Sequence, residues 1–345
     1  MRAMVVRRHG PPEVFEWREV TDPVAAASDV LIRVRAVGIN FADLLARMGL
    51  YPGAPDPPFV PGLEVAGIVE RPPAGGNGGS GSEVFRAGDP VAALTQFNAY
   101  AELVAVPAQR TYRLPEGMGF EDAAAIPVNY LTAYHSMFQM GNLQPGDHIL
   151  IHGAAGGVGI AAVQLAKARR LVVFGTAGTS KQEYLRQIGV DHPIDYTRED
   201  FEQVVRRIAP TGIEMVMDPI GGRSFAKSAR CLGTTGRLVV YGFSAAAGAS
   251  GKRSLWRAAK AFAQTRRFHP LKLMERNISV IGVHLGRMPD RIGLLQAELA
   301  EIFRMYAGGQ IKPVIGKTFP LNEAAAAHRY IHNRQNIGKV VLTLP

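Results

Sequence analysis

Hydrophobic and polar positions divide this chain into two regimes. Up to about residue 120, apolar and polar residues alternate in short runs broken by glycine and proline. Residues 1–20 read as two strands around a Gly10-Pro11-Pro12 turn, and Asp29 to Gly38 alternates as a half-buried strand does, Leu31 excepted. Gly38-Ile39-Asn40-Phe41-Ala42-Asp43 opens a short helix that ends near Gly49. A proline-rich loop follows from Tyr51 to Pro61, then strands at Glu64–Glu70, Gly88–Val91 and Asn98–Val106. The glycine-rich run Pro72–Ser82 predicts a flexible surface connection between two hairpin strands.

Beyond residue 120 the period changes. Glu121–Met140 reads as helix interrupted at Pro127, and short apolar strands then alternate with helices. Strands are expected at 149–151, 171–176, 215–218, 237–241 and 279–283, with helices at 158–168, 181–188, 199–208 and 223–231. That alternation predicts a doubly wound parallel sheet. The run 245–276 interrupts it with a small-residue loop and a basic helix, Leu255–Thr265. The end of the chain reads as a helix through Met305, a strand Ile311-Lys312-Pro313, a helix 322–333 and a last strand, Lys339–Thr343. The expected division is a β-rich domain of 1–123 with 287–345, and a nucleotide-binding domain of 124–286 carrying 245–276 as an insertion.

His148 to Gly159 carries the chemistry. Ile149–Ile151 reads as a buried strand, the chain turns at Gly153-Ala154-Ala155-Gly156-Gly157, and a helix starts at Val158. Strand, glycine turn and helix make a dinucleotide site: the backbone can approach a pyrophosphate, and the helix N-terminus offers free N–H groups. Ala154 stands where the first glycine of such turns is usual.

Composition narrows the picture. The chain has 345 residues, 47% hydrophobic and 20% charged, and no apolar run of eighteen that would cross a membrane. Its first residues lack the apolar core of a signal peptide, so a cytoplasmic location is expected. The single Cys231 allows neither an internal disulfide nor a multi-cysteine metal site. The net charge of +10 is partly local, with Arg253, Arg257, Lys260, Arg266, Arg267, Lys272 and Arg276 in one segment. No nucleic-acid-binding motif accompanies it, and nucleic acid is not expected as a partner. With Trp256 and Phe262 the segment suits an oligomer interface, a helix covering a pocket, or peripheral contact with an anionic membrane.

Several motifs resemble the medium-chain dehydrogenase/reductases, and within them the zinc-free quinone oxidoreductase (zeta-crystallin-like) branch. These are Gly38–Asp43, Gly49-Leu50-Tyr51-Pro52, Pro61–Gly67, the Gly153–Gly159 turn and Asn336–Val341. Phe268-His269-Pro270-Leu271 and Val283-His284-Leu285-Gly286 are similar to the synaptic vesicle membrane protein homologues of that branch. The resemblance implies a GroES-like β-rich lobe, a Rossmann lobe and a cleft between them, and a homodimer formed through the late strand near 279–284. Zinc-dependent members carry Cys where this chain has Asn40 and His where it has Leu63; neither replacement binds zinc, so no metal is expected.

No carboxylate ends the second strand to hold a ribose 2′-hydroxyl, which favours NADPH over NADH. Thr176, Thr179 and Lys181 suit a 2′-phosphate, and by resemblance so do Tyr196 and Arg334. Ala155, Gly156 and Gly157 would meet the pyrophosphate. The resemblance places Val128, Thr132, Val158, Gly242 and Phe243 around the nicotinamide, with Tyr241 beside Gly242 and with His284 and Leu285 closing the pocket. Tyr51 resembles a tyrosine that donates a proton in related enoyl-thioester reductases, though cofactor contact or plain packing would equally explain it. Asn40 is a candidate to hydrogen-bond near the nicotinamide or substrate oxygen, or simply to cap the helix it precedes. The function implied is zinc-independent reduction of a small quinone or α,β-unsaturated carbonyl; the alternative is a cofactor-binding, catalytically weak scaffold or membrane-peripheral protein.

Overall fold

The computed structural model describes residues 1–74, 84–247 and 254–345. The glycine-rich 75–82 stretch and Arg253, singled out in the sequence, lie outside the described residues. Seven strands come first: β1 (Arg2–Val6), β2 (Phe15–Glu19), β3 (Asp29–Ile39), β4 (Glu64–Arg71), β5 (Pro90–Leu94), β6 (Leu103–Pro107) and β7 (Thr111–Arg113). Six follow in the middle: β8 (His148–His152), β9 (Val172–Ala177), β10 (His192–Asp195), β11 (Ile213–Asp218), β12 (Leu232–Val240) and β13 (Ser279–Gly282). The last two, β14 (Ile315–Pro320) and β15 (Lys339–Thr343), close the chain.

The middle strands form one sheet in the order β10-β9-β8-β11-β12-β13, every neighbouring pair parallel. The order reverses between β8 and β11, and ligands of open α/β sheets bind at such a point. Ile149, Leu150, Ile151, Val173, Phe174, Val216 and Met217 are fully buried, as strands covered by helices on both faces require.

The first lobe is a largely antiparallel sheet, β14-β15-β3-β4-β5-β7, with β6 also on β3. Two of its seven members, β14 and β15, come from the C-terminal end of the sequence, and β15 pairs β3 with Val340 opposite Ile39. The C-terminus therefore completes the first lobe after the chain has built the second, and the glycine turn is tied to it by a Gly156–Gly338 bridge.

Three elements differ from expectation. The sheet gains β10, which Pro193 obscures as a strand; proline is tolerated because β10 is an edge. Ile311-Lys312-Pro313 is not a strand: Ile311 is buried as an apolar plug, and pairing starts only at Ile315. The basic segment holds two helices, Leu255–Ala263 and Pro270–Arg276, the second with proline in its first turn and the His269 side chain as cap. Both expose apolar side chains, Trp256 and Phe262 on the first and Leu271 and Met274 on the second, and Trp256 lines an open cavity with Gly221, Gly222 and Lys260.

Candidate active site

Strand register builds the floor of the inter-lobe junction. Because Val340 faces Ile39, Lys339 falls beside Asn40; because Val37 faces Val65, Glu64 falls beside Gly38. The Glu64 and Lys339 side chains cross over Gly38, where a Cβ would lie 2.6 Å from Glu64 Oε1 and 2.7 Å from Lys339 Cε. Glycine is needed there for space.

The resulting network is buried and charged. Lys339 Nζ donates to Glu64 Oε1 at 2.5 Å and to Asn40 Oδ1 at 2.8 Å. Asn40 Nδ2 donates to Glu64 Oε1 at 2.7 Å and to the Gly38 carbonyl at 3.2 Å. Across the junction, the Val128 N–H donates to Glu64 Oε2 at 2.7 Å, and Asn129 Oδ1 accepts from Lys339 at 3.4 Å. One carboxylate thus joins both lobes. Both N–H bonds of the Asn40 amide are donated within the protein, and the Asn40 backbone N–H donates to Asp43 Oδ2, so its place is at the helix start rather than free in the cleft.

Above this floor lies the glycine turn. The helix Gly157–Ala168 begins at Gly156 with no side chain capping it, leaving its first N–H groups for a ligand. A Cβ on Gly157 would lie 2.4 Å from Asn129 Nδ2, so the turn and the Asn129 helix approach too closely for any side chain. Thr176 is buried beneath the turn; its Oγ1 accepts from the Gly153 N–H at 3.2 Å and meets His152 Nδ1 at 3.1 Å. The Thr176 hydroxyl thereby braces the turn, and Thr179 Oγ1 donates to Asp195 Oδ2 at 2.5 Å.

The remaining phosphate candidates do meet. Lys181 Nζ donates to the Asn336 carbonyl at 2.5 Å, and Arg334 Nη1 donates to the Tyr196 hydroxyl at 3.1 Å. Burial, and then the neighbouring Arg334 charge, push the Lys181 pKa below its ordinary value. Two cations near enough for one charge to act on the other suit a dianion.

On the opposite side of the junction, Tyr51 Oη lies 3.1 Å from His284 Nε2, with ring centroids 5.6 Å apart. Tyr51 follows the first-lobe helix, whereas His284 follows β13 of the second lobe. Burial raises the Tyr51 pKa above its ordinary value and lowers that of His284. Leu285 packs on the large core cluster with Val158 and Tyr241. The Phe243 ring covers Gly221, and Gly242 passes within 3.0 Å, by its would-be Cβ, of the Pro219 carbonyl. Thr132 is buried at 8% exposure on the helix Pro127–Tyr134 that also carries Val128.

Two family models cover most of the chain: an alcohol dehydrogenase GroES-like domain over residues 26–116 and a zinc-binding dehydrogenase over 188–342. The synaptic vesicle membrane protein VAT-1 homolog of Danio rerio is 42% identical over 99% of this chain and 70% of its own length. The quinone oxidoreductase of Homo sapiens is 30% identical over 100% of this chain and 98% of its own. The chain belongs to the medium-chain dehydrogenase/reductases, on their quinone oxidoreductase-like side. Among solved family structures, Escherichia coli quinone oxidoreductase complexed with NADPH superposes with a TM-score of 0.86 at 28% identity, covering 100% of both chains.

Within this family fold, sequence reasoning passed over two residues of the junction. Lys339 sits in an apolar strand, where a lone lysine needs a buried partner; that was the available signal. Asn129 gave none, because its partner Lys339 lies in another element.

Proposed function

We propose that this protein is an NADPH-dependent reductase of quinones or α,β-unsaturated carbonyls that works without a metal ion. The observation that carries the reading is the meeting of Lys181, Tyr196 and Arg334 beside an uncapped helix N-terminus. The helix start fits a pyrophosphate, and the paired cations fit the 2′-phosphate that distinguishes NADPH. Relatives solved with NADPH support the same cofactor. When bound, NADPH supplies the hydride, and the protein must orient the substrate and supply a proton.

The donor set at the junction does not suit zinc. Asn40 and Leu63 replace the thiolate and imidazole of metal-binding members, and the remaining carboxylate, Glu64, is already neutralised by the Lys339 ammonium. Tyr51 is the group placed to give a proton: half-buried, at the lobe junction, and protonated at neutral pH. Asn40 acts by fixing the start of the helix that leads to Tyr51.

NADPH consumption followed at 340 nm, with 1,2-naphthoquinone and a panel of enones, tests the reading. Turnover that survives extensive chelation is expected. NADPH binding without turnover on any member of the panel would leave only the weak-scaffold alternative.

A further inference from the structure

The Tyr51–His284 contact has more to explain than packing. It is the one hydrogen bond among the described residues that spans from the Tyr51 loop to the segment after β13, 233 positions apart in sequence. His284 keeps part of its surface open to solvent, while Tyr51 is half-buried. Burial, and then the Asp43 charge, raise the Tyr51 pKa, burial lowers that of His284, and the Arg287 charge acts downward on both. An imidazole with its pKa lowered by burial stays neutral near pH 7, and a neutral imidazole can both give and take a proton.

We infer that His284 is a proton-relay and positioning residue that resupplies Tyr51, and that the site it serves is built for carbon protonation of α,β-unsaturated carbonyls. The inference rests on the reading of Tyr51 as proton donor to a substrate reduced with NADPH. Reduction of an enone at its β-carbon leaves an electron pair at the α-carbon. That carbon takes the Tyr51 phenol proton, breaking the O–H bond and forming a C–H bond. The phenolate takes the proton from His284 Nε2, and solvent protonates Nδ1, so the imidazole ends as its other tautomer and the charge balances. With hydrogen on Nε2, the imidazole donates to the phenol oxygen and leaves the phenol O–H free to point at substrate.

A reduced quinone differs. Its negative charge rests on oxygen, which water protonates without help, whereas carbon in a desolvated site needs a positioned acid. The relay therefore matters for enones and little for quinones.

The same contact could serve only as a latch between lobes, and one pair of variants separates the two roles. His284→Gln keeps an N–H for the phenol oxygen but cannot shuttle a proton; His284→Ala removes both functions. Steady-state kcat and KM for an enone and for 1,2-naphthoquinone, with NADPH affinity measured by fluorescence, are the readouts. Both variants are expected to lose about 10²-fold in enone kcat, a loss several-fold larger than any in naphthoquinone kcat and larger than any change in KM or NADPH affinity. Added imidazole should restore enone turnover to His284→Ala. Wild-type enone kcat in His284→Gln, or equal loss on both substrates without imidazole rescue, would overturn the relay and leave the latch. An inactive wild-type protein would instead overturn the reductase reading on which the relay depends.

Discussion

Asp43 starts the helix Phe41–Arg47 by accepting the Asn40 backbone N–H at 2.8 Å, and it does so with no exposed surface. Burial drives its pKa up to about 7, with Glu64 adding to the rise and the Asn40 N–H and the Lys339 charge opposing it. The folded protein thus holds this proton over a range where the unfolded chain, with an ordinary carboxylate near 3.8, has released it. The native state binds more protons between about pH 4 and 7, so stability falls as pH rises through that window. The effect of one such group is on the order of a few kcal/mol. Asp43→Asn keeps an acceptor for the helix start and removes the titration. Denaturation midpoints of the two proteins, compared at pH 5 and pH 8, should diverge, the wild type losing ground at the higher pH. Parallel pH profiles would show that Asp43 is ionised throughout.

At the scale of elements, the cofactor reading depends on the start of one helix and a C-terminal loop. Lys181 follows β9, Tyr196 follows β10, and Arg334 follows the helix Ala324–His332 in a left-handed conformation, φ 58°. A charge-assisted hydrogen bond is worth about 1.5–3 kcal/mol, or roughly 10- to 100-fold in affinity. Lys181→Ala and Arg334→Ala should each weaken NADPH by about that factor while leaving NADH unchanged. Equal weakening of both cofactors would place these residues away from the 2′-phosphate. The strand–glycine–helix unit was legible in the sequence because its signal is local: apolar run, turn and amphipathic stretch follow one another from Ile149 to Lys167. The meaning of Asn40 and Leu63 for metal binding came only from the resemblance to zinc-dependent members, not from any local pattern. What escaped was whatever depends on register between distant strands. Nothing local to Lys339 says that β15 will lay it on Glu64, and nothing local to Thr176 says that its hydroxyl will turn beneath the glycine loop. The short β10 escaped because Pro193 reads as a breaker until its edge position is known.

Taken as a whole, the molecule ends its six-stranded parallel sheet on an exposed strand. β13 pairs only with β12, and its outer backbone groups have no strand beside them among the described residues. Such an edge invites pairing, and proteins blunt it with charge, proline or a covering element. β13 is Ser279-Val280-Ile281-Gly282, with neither charge nor proline. A second copy related by a two-fold axis would continue the sheet across the interface, each β13 antiparallel to the other. The prediction is a dimer in solution, and Gly282 provides a clean test. A side chain there meets nothing within 4 Å in a single chain, and Ser279 is exposed. Gly282→Glu combined with Ser279→Glu should therefore leave each protomer folded. In a paired edge the same change sets like charges against one another close to the axis. Sedimentation equilibrium should report twice the chain mass for the wild type and a single chain for the double variant, at an unchanged circular dichroism spectrum. A wild type that sediments as one chain would show that the edge is held open by other means, and a double variant that remains dimeric would move the interface elsewhere, with the exposed Trp256 and Phe262 helix the next surface to substitute.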